Sequence, residues 1–281
     1  MMDDFEPHRR FLVGLAYRML GSVADAEDVV QDAFLRWSAV DRDAVVEPRA
    51  YLARVVSRLC LDRMKSACAQ RERYVGTWLP EPLVSDTAEA PALADDLSIA
   101  LLMTLERLSP LERAAFLLHD VFDMDYAAIA EVLERSEAAC RQLAARARDH
   151  VRDDRPRFAP SGDAGARLAT AFQAAMVTGD LDGLARMLAD DAVLYTDGGG
   201  KRLAALNPIH GKDRILRFFT GIAGKRGLPS PELVSPASIN GLPGFVLRGD
   251  DGPETLALEI ANDQIVAIYA VRNPDKLRHL S

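Results

Sequence analysis

Cysteine is scarce and basic residues are outnumbered. The 281-residue chain has 3 Cys, and 34 Lys and Arg against 42 Asp and Glu, for a net charge of −8. Cys60, Cys68 and Cys140 are odd in number and form no close-spaced pair. That argues against a disulfide framework or a cysteine-rich zinc site and fits a reducing compartment. Buried or half-buried thiols are a sufficient account of all three. No apolar run approaches the ~18 residues of a membrane span. The N-terminus, MMDDFEPHRR, is acidic and lacks the apolar stretch of a secretion signal. The expectation is a cytoplasmic protein without membrane attachment, metal or cofactor. Composition is otherwise globular, at 49% apolar and 27% charged, which excludes global disorder and low complexity.

The lack of net positive charge does not exclude nucleic acid, because the deficit is local. Residues 76–100 hold 5 acids and no base. Residues 49–73 hold 7 bases (Arg49, Arg54, Arg58, Arg63, Lys65, Arg71, Arg73) against Asp62 and Glu72, and residues 135–157 hold 7 against 4. Two basic segments in an acidic chain suffice for phosphate contact, although solvated helix faces give the same pattern.

Residues 3–74 read as helical. Ser22 followed by Asp25 resembles a capping box with aspartate in the glutamate position, opening a helix near 23–38. Ala26, Val29, Val30, Ala33, Phe34 and Trp37 form its buried stripe, and Asp25, Asp28, Gln31, Asp32 and Leu35 lie on another face. Pro48 suits the first turn of a helix running to about Tyr74. Residues 76–96, with three prolines and five acids, break the pattern as a linker. Trp78 and Leu79 before Pro80 are unusual in a solvated linker, which points to docking.

Residues 97–154 are helical again. Ser109-Pro110-Leu111-Glu112 combines an N-cap, a first-turn proline and a glutamate three residues after the cap. Tyr126–Leu133 is a short helix, Glu134-Arg135-Ser136 a tight turn, and Ser136 a cap for a helix from Glu137 to about Arg152. Cys140, Leu143, Ala144, Ala147 and Val151 face inward there. Ala138, Arg141, Gln142, Ala145 and Arg148 face out, small residues interleaved with Arg and Gln as approach to a DNA groove requires. An ordinary αα-hairpin fits these residues equally well.

Residues 155–163 form a second linker. In 164–281 helices come first and short alternating strands after: Ala192–Thr196, Gly244–Arg248, Thr255–Ile260 and Ile265–Val271, with Asn262-Asp263 as a hairpin turn. This is an α+β domain. Gly198-Gly199-Gly200-Lys201 is not a P-loop, since Arg202 stands where Ser or Thr is needed. It reads as a flexible contact surface.

Asp25-Ala-Glu-Asp28-Val-Val-Gln31-Asp32-Ala-Phe34-Leu-Arg-Trp37 resembles the core-polymerase-binding helix of an extracytoplasmic-function (ECF) sigma factor. Pro48-Arg49-Ala50-Tyr51-Leu52 and Arg58-Leu59-Cys60-Leu61-Asp62-Arg63 continue the likeness into the segment that reads the −10 element. Leu108–Arg113 and the 126–146 helix-turn-helix resemble the −35-reading region. Trp78-Leu-Pro-Glu-Pro82, Asp197-Gly-Gly-Gly-Lys201 and Asn273-Pro-Asp-Lys-Leu277 resemble the subgroup that carries a C-terminal SnoaL-like domain, the SigJ type. Glu134 departs from the frequent glycine of the turn, and Arg58 from a frequent asparagine.

The resemblance implies a multidomain chain: sigma region 2 over 1–75, the linker 76–96, sigma region 4 over 97–154, the linker 155–163, and a SnoaL-like cone-shaped barrel over 164–281. It implies a promoter-specificity subunit with no catalytic residues of its own, whose partners are core RNA polymerase and promoter DNA. Asp25, Asp28, Gln31, Asp32 and Leu35 would meet the polymerase. Tyr51, Arg54, Arg58, Arg63 and Lys65 would meet the −10 strand, Tyr51 being equally readable as a core residue. Ser136, Ala138, Arg141, Gln142, Ala145 and Arg148 would meet the −35 duplex. The C-terminal domain would act as an intramolecular regulator that packs back on the 1–152 helices. Its contacts would be Trp78, Leu79 and Pro80, the Asp197, Gly198, Gly199, Gly200, Lys201 loop, and the Asn273, Pro274, Asp275, Lys276, Leu277 turn. Tyr195, His210 and Tyr269 are candidates for a cavity holding a small ligand, with a capping or surface role as the alternative for His210. Two other readings stay open: a C-terminal cyclase- or isomerase-like enzyme, and a helix-turn-helix regulator without polymerase contact.

Overall fold

The computed structural model describes residues 4–41, 45–71, 74–85, 98–153 and 162–280. The acidic stretch 86–97, most of the second linker and the side chain of Cys68 lie outside the described residues. The chain divides into two compact units, residues 1–73 with 100–155, and residues 74–99 with 156–281.

The first unit is all helical. Its N-terminal helices are α1 (Glu6–Leu20), α2 (Val23–Ser38) and α3 (Pro48–Arg71). Ser22 caps α2 by accepting from Asp25 N–H at 3.2 Å. Ala26, Val29, Val30, Ala33 and Trp37 are buried along one stripe of α2, and Leu52, Val56 and Cys60 of α3 are also buried. After α4 (Ile99–Glu106), the helix α5 (Pro110–Phe116) opens on a complete capping box: Glu112 N–H donates to Ser109 Oγ at 3.4 Å, and Ser109 N–H to the Glu112 carboxylate at 3.1 Å. Arg113, 1% exposed, donates to Met19 O at 2.7 Å and pairs with Glu106 at 2.6 Å. It thereby satisfies a carbonyl in the last turn of α1 from 94 residues away, tying the two helical regions together. A π-turn at Leu117–Val121 leads to α6 (Tyr126–Leu133) and α7 (Glu137–Asp153).

The second unit is α+β. Helices α8 (Gly162–Thr178) and α9 (Leu181–Met187) meet at Gly179-Asp180, where Asp180 caps α9 by accepting from Gly183 N–H at 2.8 Å. With β1 (Val84–Ser85), β2 (Leu188–Asp197), β3 (Ile209–His210), β4 (Val234–Ile239), β5 (Leu242–Gly249), β6 (Gly252–Ala261) and β7 (Gln264–Val271), the seven-stranded sheet runs β1-β4-β5-β6-β7-β2-β3. All pairs are antiparallel except β2 with β7, which is parallel. Helix α10 (Lys212–Arg226) follows β3. Leu194, Phe245, Leu256, Leu258 and Ile268 pack from one sheet face with Phe172, Leu184 and Ile215 of the helices into the core of this α+β domain. The Asn262-Asp263 turn holds φ of 51° and 58°, as a two-residue hairpin of this hand requires.

Three strands were not expected: β1, β3 and β4. Strand β4 contains Pro236, which cannot donate to a ladder. Among the described residues its pairing with β1 covers Ser238 and Ile239, and Pro236 pairs with Phe245 of β5 alone.

Candidate polymerase, promoter and strap sites

On α2 the expected polymerase-facing residues share one surface. Asp28, Gln31 and Asp32 are exposed, and so is Leu35, at 59%. Asp25 and Asp28 pair with Arg63 of α3 at 3.0 and 2.8 Å. Arg54, Arg58 and Lys65 of α3 are engaged as well. Arg54 pairs with Glu131 at 2.9 Å, and Lys65 with Asp62 at 2.8 Å. Arg58 donates to Glu131 O at 2.8 Å and Val132 O at 3.4 Å, and lies 3.3 Å from the Glu134 carboxylate. Arg58 therefore caps the C-terminal end of α6, where a cation also meets the negative end of the helix dipole. Tyr51 is half-buried, its ring 5.7 Å from that of Trp37.

In the helix-turn-helix, Asp125 caps α6 by accepting from Ala128 N–H at 2.7 Å, and Ser136 Oγ accepts from Ala139 N–H at 3.3 Å at the start of α7. Glu134 ends α6 at φ 55°, ψ 48°. A left-handed non-glycine residue stores roughly 1–2 kcal/mol, which the Arg58 contacts help offset. Ser136, Ala138, Arg141, Gln142 and Ala145 are exposed on one face of α7. Arg141 pairs with Glu137 at 2.7 Å and lies over the Tyr126 ring at 5.1 Å. Arg148 is held at the side by Asp120 at 2.6 Å and Tyr126 Oη at 3.0 Å, and these two partners keep its guanidinium protonated.

The strings Trp78–Pro82, Asp197–Lys201 and Asn273–Leu277 meet in the second unit, around one carboxylate. Asp197 ends β2 and is 0% exposed. It accepts from Tyr74 Oη at 2.5 Å, Leu79 N–H at 2.9 Å, Gly199 N–H at 3.0 Å and Lys276 Nζ at 2.7 Å. Lys276 also donates to Leu79 O, and its ammonium stands 4.2 Å from the Trp78 ring and 5.0 Å from that of Tyr74. Asn273 donates to Tyr74 Oη at 2.8 Å. Gly199 has φ 59°, and a Cβ there would lie 2.2 Å from Asn273 Nδ2, so both conformation and space call for glycine. Gly198 passes close to Arg202 O, and Gly200 lies beside Val75. Lys201 pairs with Asp275, and that ammonium, followed by Arg278, holds the Asp275 carboxyl below its usual range. Leu79, Pro80 and Pro82 are buried, as is Leu277, while Trp78 and Pro274 are half-buried. The segment 74–85 is thus a strap, held by Asp197 near its start and by β1 at its end. Burial, and then the bond to Asp197, push the Tyr74 phenol above its usual range. Sequence reading missed Tyr74, which it placed at the end of a helix.

The three cavity candidates require correction. A cavity of about 500 Å³ lies in the second unit, lined by Leu194, Thr196, Phe218, Phe219 and Ala270 among others, and by none of Tyr195, His210 and Tyr269. Strand parity is the reason. Leu194 and Thr196 of β2 and Ala270 of β7 face the helices, so Tyr195 and Tyr269, in register with each other, face the opposite side. There the two rings stack at 5.3 Å, and Tyr269 Oη donates to Glu259 at 2.5 Å. Burial raises the Glu259 carboxyl above its usual range. His210 is exposed on β3.

An acid-faced, Ser-capped helix joined to a basic helix, followed by a capped helix-turn-helix, gives the two promoter-reading modules of a sigma factor. Residues 5–69 match the family model of Sigma-70 region 2, and residues 98–151 that of Sigma-70, region 4. The chain belongs to the ECF RNA polymerase sigma factors. It is 40% identical over 289 residues to the ECF RNA polymerase sigma factor SigJ of Mycobacterium tuberculosis (strain ATCC 25618 / H37Rv), across 98% of this chain and 92% of that one. The crystal structure of M. tuberculosis SigJ is similar with a TM-score of 0.81 at 37% identity, covering 99% of this chain and 98% of that chain. The likeness therefore includes the C-terminal unit. No helix among the described residues is long and apolar enough to cross a membrane.

Proposed function

We propose that this sigma factor, which directs promoter recognition and transcription initiation, is controlled by its C-terminal domain through the length of free chain between its two promoter-reading regions. The observation that carries this reading is the Asp197 clamp on the strap. Fully extended, the chain between Arg71 and Ser98 spans roughly 95 Å; with 74–85 held, that segment's own end-to-end distance is fixed and only the stretches on either side, roughly 10 and 45 Å, can extend. A held strap limits how far regions 2 and 4 can separate to engage two promoter elements at once, and a released strap lifts that limit. The Arg54 and Arg58 pairs with Glu131 and Glu134 support the same reading. They neutralise bases of α3 that single-stranded DNA would need, and they must exchange for phosphates before the −10 strand is gripped.

In this reading Asp25, Asp28, Gln31, Asp32 and Leu35 contact the polymerase, α3 takes the −10 strand through Tyr51, Arg54, Arg58, Arg63 and Lys65, and α7 takes the −35 duplex. The test is run-off transcription with purified core polymerase, comparing the full chain, Asp197→Ala, and a chain ending at residue 204. Both changes raise transcript yield if the clamp restrains the factor. Equal yields from all three would overturn the strap as a control element. A chain ending near residue 160 transcribes less than the one ending at 204 if the first part of the domain also supports core binding.

A further inference from the structure

The 500 Å³ cavity on the helix-facing side of the sheet is of the size that takes small molecules, and the regulatory reading leaves it unused. Its inner wall is apolar: Met176, Leu194, Phe218, Phe219 and Ile222 line it. One end is different. The Arg272 side chain, 8% exposed, lines the cavity. Arg272 Nη1 donates to Leu203 O. Its Nη2 stands 2.7 Å from Glu254 Oε1, yet neither Nη2 nor Nε makes an aligned hydrogen bond among the described residues. Arg226 reaches the same Glu254 carboxylate at 3.1 Å and pairs with Asp251 at 2.6 Å. Two guanidinium groups thus share one inner carboxylate. Asp251, the second, sits at the rim with its side chain 61% exposed, beside exposed Asp250.

A buried guanidinium with donors left over is costly unless an acceptor reaches it. Six charges line that end, Arg226, Arg248 and Arg272 against Asp250, Asp251 and Glu254, and they balance. What is left over is the Nε donor of the buried Arg272, which has no acceptor among the described residues. A guanidinium edge offering such a donor suits a planar, two-oxygen anion, the group guanidinium binds best. We infer that the cavity binds a small, predominantly apolar carboxylate, with its tail among Phe218, Phe219 and Ile222 and its head at Arg272 and Arg226. The head-group end backs directly onto the strap clamp. Thr196 and Arg272 line the cavity, while the next residues, Asp197 and Asn273, hold Tyr74 and Leu79 on the other side. Arg272 N–H and Asn273 N–H both donate to Asp197 O, at 2.7 and 2.9 Å.

The experiment is calorimetric titration of the full chain with sodium nonanoate and with 1-nonanol, which share a tail and differ in the head. Nonanoate binds about tenfold more tightly than nonanol, the effect of one charge-assisted hydrogen bond. Arg226→Gln, at a half-exposed position that folding tolerates, removes most of that preference and leaves nonanol binding unchanged. Ile222→Trp, filling the chamber from a half-buried helix position, abolishes binding of both. Absence of heat with either probe, equal affinity for the two, or nonanoate binding that survives Ile222→Trp in a folded protein would overturn the assignment.

Discussion

The ionic contacts of α3 and those of Asp197 use the same chemistry at opposite depths. On α3, Arg54 and Glu131 are 36% and 62% exposed and Arg58 and Glu134 45% and 76%. Exposed pairs of this kind contribute about 0–1 kcal/mol each, so phosphate can replace the carboxylate at little cost. Asp197 and Lys276 are 0% and 12% exposed, and the carboxylate receives four donors. Breaking such a site by removing one partner leaves a buried charge and costs about 3–5 kcal/mol. The difference separates pairs that water or another anion can replace from a carboxylate enclosed by its partners.

The largest expected effect follows from that figure. Asp197→Ala destabilises the C-terminal unit by about 3–5 kcal/mol in chemical denaturation, because Lys276 is left uncompensated. A loss under about 1 kcal/mol would put the clamp in the same class as the α3 pairs. On the DNA side, Arg141→Ala costs roughly 1–3 kcal/mol of promoter affinity and relaxes preference at one base pair if Arg141 reads a base edge. A uniform loss across sequences, measured on a panel of −35 variants, assigns it to phosphate instead.

Next in size is Gly199→Ala, expected to lower stability by about 1–2 kcal/mol from the left-handed backbone alone, before any displacement of Asn273. An unchanged melting temperature would show that the loop relaxes freely. Replacing both Glu131 and Glu134 by Gln sharpens the comparison from the other side. Stability changes by less than about 1 kcal/mol, while binding of single-stranded −10 DNA tightens, as fluorescence anisotropy would report.

The smallest effect is the pH dependence of the strap. Asp275 has its carboxyl held below the usual 3.8 by Lys201 and Arg278, so its contribution is present above that value and fades as pH falls through the lowered one. Tyr74 is shifted the other way from its usual 10, so its contribution is complete below about pH 10 and fades as pH rises beyond it. Trp78 fluorescence is therefore expected to stay level from about pH 4 to pH 10 and change outside that window. A transition near neutrality would assign strap docking to another group.

Much of the first unit was legible from local rules. The α2 stripe, the Ser109–Glu112 capping box and the α6–turn–α7 motif each depend on residues within a few positions of one another, where periodicity and capping decide. The Asn262-Asp263 turn was legible for the same reason, whereas β4 was hidden by Pro236, a residue that argues against a strand when read along the chain. Sequence singled out the three strings that meet at Asp197 but not their centre. Asp197 meets Leu79 across 118 residues, and Asn273 meets Tyr74 across 199, separations that no spacing rule spans. The cavity was misassigned for a related reason. Tyr195 and Tyr269 have the polar chemistry of a site, but which face of β2 and β7 looks onto the helices was fixed by the packing of Leu194, Leu256 and Ile268 against Phe172 and Ile215.

By itself, then, the sequence determined the family and the helical modules, because apolar period, caps and turn chemistry act along the chain. Tertiary structure alone decided which charges are spent and which are available. Arg58 became a cap for α6 only because α3 lies beside it, and Asp197 became a clamp because strand pairing sets it among Tyr74, Leu79 and Lys276, out of water. The reason is physical: an ion's worth depends on its distance from water and on its partners, and both are properties of packing between elements far apart in sequence.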